Sequence, residues 1–388
     1  MTKIYMIRHG EAEGNLFRRA HGQYDSNVTA LGQKQIGALA ERFRDIPVDA
    51  LWSSDLNRTR STATAILKYH PELTLHTDPA LREISIGVWE NRPWGNLKRD
   101  YPEQMDLFTH DPERWWVPGC EPFSVLTERI RRAVTSIGEQ CDGKTVVIVS
   151  HGLAIRALLC DLKGIPSAEF DSLPYGDNTS VALFTLENGV LTPEWYNDTA
   201  HLPEELSTFS HQARCRQLQG HTRTDYNRFE PLDPRTERTL YTDCYEKTWM
   251  QSHGNLRGFV PSVYVATATA HAKYDPRCLV KLFSSERFAG MIELDPERGR
   301  EEDCGWISLL YVEPSLRGMR LGVQLLGHAI SYFRETGRTH IGLHVSQSNE
   351  NAVGFYRHNG FEAVGQVEGV GGMLWRMELN ITQRVFTL

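Results

Sequence analysis

Lys3-Ile4-Tyr5-Met6-Ile7-Arg8-His9-Gly10-Glu11 is a short apolar run that breaks abruptly into an arginine, a histidine and a glycine. The run has the character of a buried strand. Polar residues that end a buried parallel strand lie at its carboxyl end, where open α/β sheets bind ligands. Arg8 brings a permanent charge and a fork of donors that matches phosphate oxygens. His9 can act as a nucleophile or a proton carrier near neutral pH, and Gly10 lets the backbone turn sharply beside a ligand. Alone, this tripeptide is also compatible with a strand that simply ends in a loop. A second stretch, Thr145-Val146-Val147-Ile148-Val149-Ser150-His151-Gly152, repeats the design and runs into a helical pattern over 153–162. Two buried strands that each deliver a histidine at the same end are hard to explain by packing.

The residues between these stretches supply further polar groups. The segment 12–27 is polar, contains Asn15, Arg18, Arg19 and His21, and reads as a loop over the site. Thr29 is a plausible cap for a helix whose apolar positions Ile36, Leu39, Ala40 and Phe43 recur at helical spacing. Residues 48–52 read as the next strand. Ser53-Ser54-Asp55 can then cap a helix with Arg58 in its first turn, which brings a guanidinium to orphan amide donors. Leu81-Arg82-Glu83-Ile84 precedes Gly87-Val88-Trp89-Glu90. Residues 95–123 read as an insertion, whose tryptophans (with Trp94, Trp115 and Trp116) fit a pocket wall and a small satellite core equally well. A helix over 123–137, strands over 181–186 and 190–196, and the hairpin signal Asn188-Gly189 close the domain near residue 200.

With Arg8-His9-Gly10, Asp55-Leu56-Asn57-Arg58-Thr59, Glu83 and Ser150-His151-Gly152 in view, the first 200 residues resemble the histidine phosphatase superfamily, the phosphoglycerate mutase-like fold. The resemblance implies a three-layer α/β/α domain and metal-independent hydrolysis of a small phosphorylated metabolite. His9 would carry the phosphoryl group. Arg8, Asn15, Arg58 and His151 would bind its oxygens, and Glu83 would protonate the leaving group. Where the family often has glycine after Trp-Glu, this chain has Asn91. The segment Gln23-Tyr24-Asp25 and the compact domain look more like the small-molecule phosphatases, including α-ribazole phosphatases, than like a mutase; mutase activity is the alternative.

Length and composition fit two soluble domains. The chain has 388 residues, 40% of them hydrophobic and 23% charged, more than one typical domain needs. A net charge of −7 argues against nucleic acid or an anionic membrane as the main partner. No apolar run approaches the roughly 20 residues of a membrane span. The chain opens on a strand pattern rather than a leader, and its seven cysteines are scattered, so a cytoplasmic protein with free thiols is expected. His340 and His344 are four apart, but in a strand pattern without acidic neighbours, a poor metal site; no metal is expected.

The second half reads as a short strand over 228–232, a helical stretch over 234–253, strands over 263–268, 278–283 and 290–294, then Trp306-Ile307-Ser308-Leu309-Leu310-Tyr311-Val312. The glycine-bearing turn Arg317-Gly318-Met319-Arg320-Leu321-Gly322 leads into a helix over 323–333, in physical terms a cradle for a diphosphate. A strand over 341–345 precedes Asn349-Glu350-Asn351-Ala352-Val353-Gly354-Phe355-Tyr356. These segments resemble the GNAT N-acyltransferases, an α+β fold. The resemblance implies acetyl-CoA as acyl donor and a small-molecule or protein amine as acceptor. Backbone groups of Leu310 and Val312 would hold the pantetheine arm. Amides of Arg317, Gly318, Met319, Arg320, Leu321 and Gly322 would hold the pyrophosphate, Asn349 the cofactor, and Tyr356 would protonate the leaving thiolate. Arg320 stands where the family usually has glycine. No carboxylate lies within 306–312, where some members place a base; Glu293 on a neighbouring strand, or water, is the substitute. An acyl-CoA sensor without catalysis is the alternative. The expected division is 1–205 phosphatase, 206–224 linker and 225–388 acetyltransferase, two independent catalysts on one tether.

Overall fold

The computed structural model describes residues 1–218, 227–370 and 372–388. The chain forms two compact units, Met1–Thr222 together with Gln383–Leu388, and Arg223–Thr382.

In the first unit the elements run β1 (Thr2–Arg8), α1 (Glu13–Phe17), α2 (Ala30–Phe43), β2 (Ala50–Ser53), α3 (Asn57–Leu67), β3 (Leu75–Thr77), α4 (Trp94–Asp100), α5 (Pro102–His110), α6 (Phe123–Gln140), β4 (Thr145–Ser150), α7 (Gly152–Lys163), β5 (Val181–Glu187), β6 (Val190–Asp198) and α8 (Thr208–Leu218). The sheet order is β3-β2-β4-β1-β5-β6. The first four are parallel, and β5 and β6 join antiparallel. Strand residues alternate between two buried faces. Ile7, Val147 and Val149 meet Ile36, Leu39 and Phe43 of α2 and Ile66 of α3. Ile4, on the other face, lies against Gly138 of α6, where an added Cβ would come within 2.9 Å of its side chain. Parallel pairing of β1 with β4 sets Arg8 opposite Ser150, so the two histidines leave the sheet side by side.

Thr29 caps α2 as expected, its hydroxyl accepting from Gly32 N at 3.0 Å. The helix α3 is capped differently. Its first amide, Asn57 N, is taken by Asp25 from the preceding loop at 2.8 Å, because Asp55 is committed to a two-point ion pair with Arg82, at 2.6 and 2.5 Å. The insertion forms α4 and α5, and its aromatics make a satellite core: Trp115 is buried, with Trp89 at 5.4 Å and Phe108 at 4.9 Å, and Trp94 lies 6.0 Å from Phe108. Trp116 is exposed.

The expected linker starts inside this unit. Gln35 Nε2 donates to Leu206 O at 2.7 Å and to Thr208 Oγ1 at 2.9 Å, and α8 follows; 219–224 lie outside the described residues. The segment Gln383–Leu388, assigned above to the second domain, packs with the first. Gln383 Nε2 donates to Asp25 O at 2.6 Å, Arg384 N to Asn27 Oδ1 at 2.8 Å and Phe386 N to Ser61 Oγ at 2.9 Å. The Phe386 ring packs against the core of α2 and α3, an apolar side chain finding apolar cover.

The second unit runs β7 (Arg228–Pro231), α9 (Arg238–His253), α10 (Pro261–Tyr274), β8 (Leu279–Ser284), β9 (Arg287–Asp295), β10 (Cys304–Val312), α11 (Leu321–Glu335), β11 (His340–Ser346), α12 (Glu350–His358), β12 (Glu362–Gly369) and β13 (Gly372–Asn380). Its sheet order is β12-β13-β11-β10-β9-β8-β7. The strand expected over 263–268 is helix. Its valines alternate as in a strand, but Pro261 presets a first helical turn and the alanines at 266, 268, 270 and 272 favour helix. Val265, Ala268 and Ala272 then share a packed face with Tyr241 and Leu279. No helix among the described residues is long and apolar enough to cross a membrane.

Candidate active sites

The first site sits at the carboxyl ends of β1 and β4. The His9 and His151 rings lie 5.3 Å apart, centroid to centroid. His9 Nδ1 is 2.8 Å from the Gly10 carbonyl. A carbonyl only accepts, so Nδ1 carries the hydrogen and Nε2 the lone pair. The His9 backbone is pinned on both sides, its amide to Ser150 O at 3.1 Å and its carbonyl to Asn178 Nδ2 at 2.9 Å. Burial, then the charges of Arg58 and Arg8, holds the His9 imidazole well below its usual value, and His151 follows for the same leading causes, burial and Arg58. Both rings are therefore neutral near pH 7.

Polar atoms without partners cluster here. Neither ring nitrogen of the fully buried His151, nor Arg8 Nε, has a hydrogen-bond partner among the described residues. Arg8 Nη1 donates to Gly176 O, and its guanidinium lies over the Phe209 ring at 5.8 Å. Buried polar groups left open at one place mark a spot where an anion fits. Arg58 is buried, and the carbonyls of Tyr24 and Gly22 hold its Nη1 at 2.9 Å and its Nη2 at 2.6 Å. Asn15 spends its amide oxygen on Ala12 N, 3.0 Å away at the start of α1, so only its NH2 group remains to offer a ligand. Glu83 meets the opening turn of α7, whose N-cap is His151: Leu153 N and Ala154 N donate to its carboxylate at 3.0 and 2.9 Å. Burial pushes the Glu83 carboxyl up, while these amides and Arg58 pull it down; burial wins.

Sequence reasoning missed the groups that hold this shell. Glu90 accepts from three successive amides, Gly22 N at 3.1 Å, Gln23 N at 2.7 Å and Tyr24 N at 2.9 Å. The same loop's carbonyls hold Arg58. Gly22 is required there, since an added Cβ would fall 2.3 Å from Ile84 O. Arg129 grips Glu121 at 2.8 and 2.7 Å and donates to the carbonyls of Ala80 and Arg82, which fixes the approach to Glu83. Glu90 carries no local signal of its role, because the amides it holds lie more than sixty residues before it.

In the second unit β10 and β11 pair in parallel only over Cys304–Trp306 and His340–Gly342 and then part. A bulge follows on β10 between Ile307 and Leu309. Beyond it Leu310 and Val312 pair with β9 on one side, so their other edge faces the split. Gly318 and Arg320 are both left-handed, with φ of 79° and 57°, and α11 starts at Leu321. Gly322 admits Phe355 of α12, which a Cβ would meet at 3.2 Å. Arg317 folds back onto Val312 O at 3.2 Å and Gln251 Oε1 at 2.9 Å. Asn349 caps α12, accepting from Ala352 N at 3.2 Å, and Tyr356 is buried between Phe355 and Phe361, each 5.3 Å away; burial pushes its hydroxyl up. His344 rests edge-on against Trp306 at 4.8 Å.

Known families match both halves of this chain. The family described as Histidine phosphatase superfamily (branch 1) matches residues 4–199, and the Acetyltransferase (GNAT) family matches residues 237–361. A probable phosphoglycerate mutase GpmB of Yersinia pestis (strain Pestoides F) is 34% identical over 206 residues, which cover 52% of this chain and 95% of that protein. The solved structure of YhfR from Bacillus stearothermophilus is 29% identical and covers 52% of this chain and 99% of its own, with a TM-score of 0.50. The alpha-ribazole phosphatase from Shigella flexneri is 25% identical over 50% of this chain and 96% of its own, with a TM-score of 0.45.

Proposed function

We propose that this chain, which belongs to the histidine phosphatase superfamily through residues 4–199 and carries a GNAT acetyltransferase domain after them, hydrolyses a phosphomonoester through phosphohistidine and acetylates an amine. The observation that carries the first activity is the pair of neutral histidines 5.3 Å apart beside unpartnered buried donors. His9 Nε2 attacks phosphorus while the ester oxygen leaves, and Glu83 gives that oxygen its proton. Charge on the three remaining oxygens is met by Arg8, Arg58, His151 and the Asn15 amide. Water then attacks the phosphohistidine, Glu83 takes back a proton, and inorganic phosphate departs. A raised Glu83 pKa suits a group that must start protonated. Rapid mixing with a 32P-labelled phosphate ester and an alkaline quench should trap label on the peptide holding His9, and His9→Ala should abolish it. Label on serine or aspartate would refute the scheme.

A second reading, mutase, is favoured by the name of the 34%-identical relative. Incubation with phosphoglycerate separates the two, since a phosphatase releases inorganic phosphate and a mutase returns an isomer.

The split between β10 and β11, and the turn 317–322 at the start of α11, suit acetyl-CoA. In this reading Leu310 and Val312 hold the pantetheine arm through their backbone, and the amides of 317–322 hold the pyrophosphate. Asn349 fixes the entry to α12, and Tyr356 offers a proton. Bound there, acetyl-CoA supplies an activated acyl group.

A further inference from the structure

The second unit holds a buried polar chain built on Glu293, the carboxylate named above as a substitute base, and on two residues with no role so far, Tyr241 and His271. Glu293 of β9 is 2% exposed, and both its oxygens are engaged. Tyr241 of α9 donates to Oε2 at 2.8 Å, and His271 of α10 meets Oε1 through Nδ1 at 2.9 Å. A carboxylate accepts, so Nδ1 carries the hydrogen and the neutral ring keeps its lone pair on Nε2. That nitrogen faces Asp295 Oδ1 at 3.6 Å, and the Asp295 side chain is 20% exposed. The chain thus runs from an enclosed end at Tyr241 to an open end at Asp295.

Its position is as specific as its bonding. Glu293 is the register partner of Leu309, at the β10 bulge, and Asp295 is the partner of Trp306, where β10 parts from β11. Leu309 packs with α9 and α10. Gly305 instead faces Phe333 of α11, 2.3 Å from an added Cβ, so α11 covers the opposite face. The right-handed crossovers through α11 and α12 put Tyr356 on that opposite side too. A buried acid–imidazole pair is a poor way to stabilise a core, since well-packed apolar residues usually do as well.

We infer that His271 accepts the proton of the acceptor amine, with Glu293 orienting its ring and Asp295 facing the imidazolium that forms. The inference rests on the acetyltransferase reading. An ammonium nitrogen has no lone pair with which to attack. One N–H bond of the ammonium breaks, its proton forms the new N–H bond at Nε2, and the amine keeps the electron pair. Glu293 is enclosed and already holds Tyr241 and His271, so the lone pair turned toward the open end is that of His271 Nε2. The groups facing His271 are Glu293 and Asp295 from β9, with Tyr241 of α9 acting through Glu293. Burial lowers the imidazole, but the Glu293 bond and the two carboxylates outweigh it and leave it above its usual value, so it is more basic than a free histidine.

The test uses the full chain as wild type, His271→Gln, Glu293→Gln and Asp295→Asn. Three quantities are measured: acetyl-CoA affinity by calorimetry, the His271 titration by NMR without acetyl-CoA, and CoA release with acetyl-CoA and a panel of primary amines from pH 5.5 to 9. His271→Gln should bind acetyl-CoA within about twofold of wild type yet acetylate roughly 100-fold more slowly, without the acidic limb of the rate profile. Glu293→Gln should move the NMR midpoint and the kinetic limb together toward acid. Asp295→Asn, which keeps an Oδ1 to accept from Glu297 N and Arg298 N at 3.0 Å, should do the same by less. A His271→Gln enzyme within threefold of wild type, with its acidic limb intact, overturns the inference. Wild type that binds acetyl-CoA and acetylates no amine shows instead that the transferase reading has failed, and the inference goes with it.

Discussion

Glu83 is pulled two ways. Two amides at the start of α7 favour its charged form, and burial favours its neutral form. If it is the proton donor, Glu83→Gln should slow alkyl phosphates by about 100-fold or more and leave activated aryl phosphates within a few fold; equal slowing of both would exclude the role. His9 and His151 shift the other way. Folded, they resist protonation, while the unfolded chain takes up protons below about pH 6.5. Stability of the first unit should therefore fall as pH drops through that value, and inorganic phosphate should restore it by supplying the missing negative charge; melting curves from pH 5 to 8 with and without phosphate check this. Two residues that depart from family glycines, Asn91 and Arg320, have φ of 56° and 57°. Their backbones keep the left-handed shape that glycine adopts freely. Asn91 also gains from its side chain, accepting from Arg19 Nε at 2.9 Å. Arg320→Gly should therefore raise stability slightly, by at most about 1 kcal/mol, without loss of acetyl-CoA binding.

The loop 22–27 is the element on which the first site depends. Its amides are held by Glu90, its carbonyls hold Arg58, and its Asp25 caps α3. Glu90→Gln keeps the shape but loses the charge that accepts three amides, each charge-assisted bond contributing about 1.5–3 kcal/mol. The expected result is a phosphatase kcat/KM lowered at least tenfold with little change in acetyl-CoA binding, read by steady-state kinetics and calorimetry. β1 and β4 could be read from sequence because a buried strand writes itself into consecutive residues. The anchoring of the loop by Glu90 could not, because more than sixty residues separate the two. The helix α10 was hidden by valines that mimic a strand, and the hairpin β12–β13 by alternation too weak to see: Val364 and Met373 are exposed. Both histidine sites were legible as residues, whereas the split of β10 from β11 appears only in three dimensions.

At the scale of the whole chain, independence of the two halves has to be amended. The residues with proposed chemical roles do separate, from Arg8 to His151 for the first activity and from His271 to Tyr356 for the second. The packing does not separate so cleanly, since Gln383–Leu388 belong to the first unit. They tie Asp25 and Asn27 to Ser61 on α3, on either side of the Arg58 anchor. A chain ending at residue 382 should lose about 2 kcal/mol of stability in its first unit and several-fold in phosphatase rate, with acetyl-CoA binding unchanged; denaturant titration and both assays test it. A chain cut near residue 215 would show the same deficit, for want of this short segment rather than of the acetyltransferase fold. The segment also bears on biogenesis. A ribosome delivers it only after the whole of the second unit has been made. The first unit, although encoded first, would then complete its packing after the second has emerged, so that a transcript broken just short of codon 383 should yield a protein whose second proposed activity is at full strength and whose first is impaired.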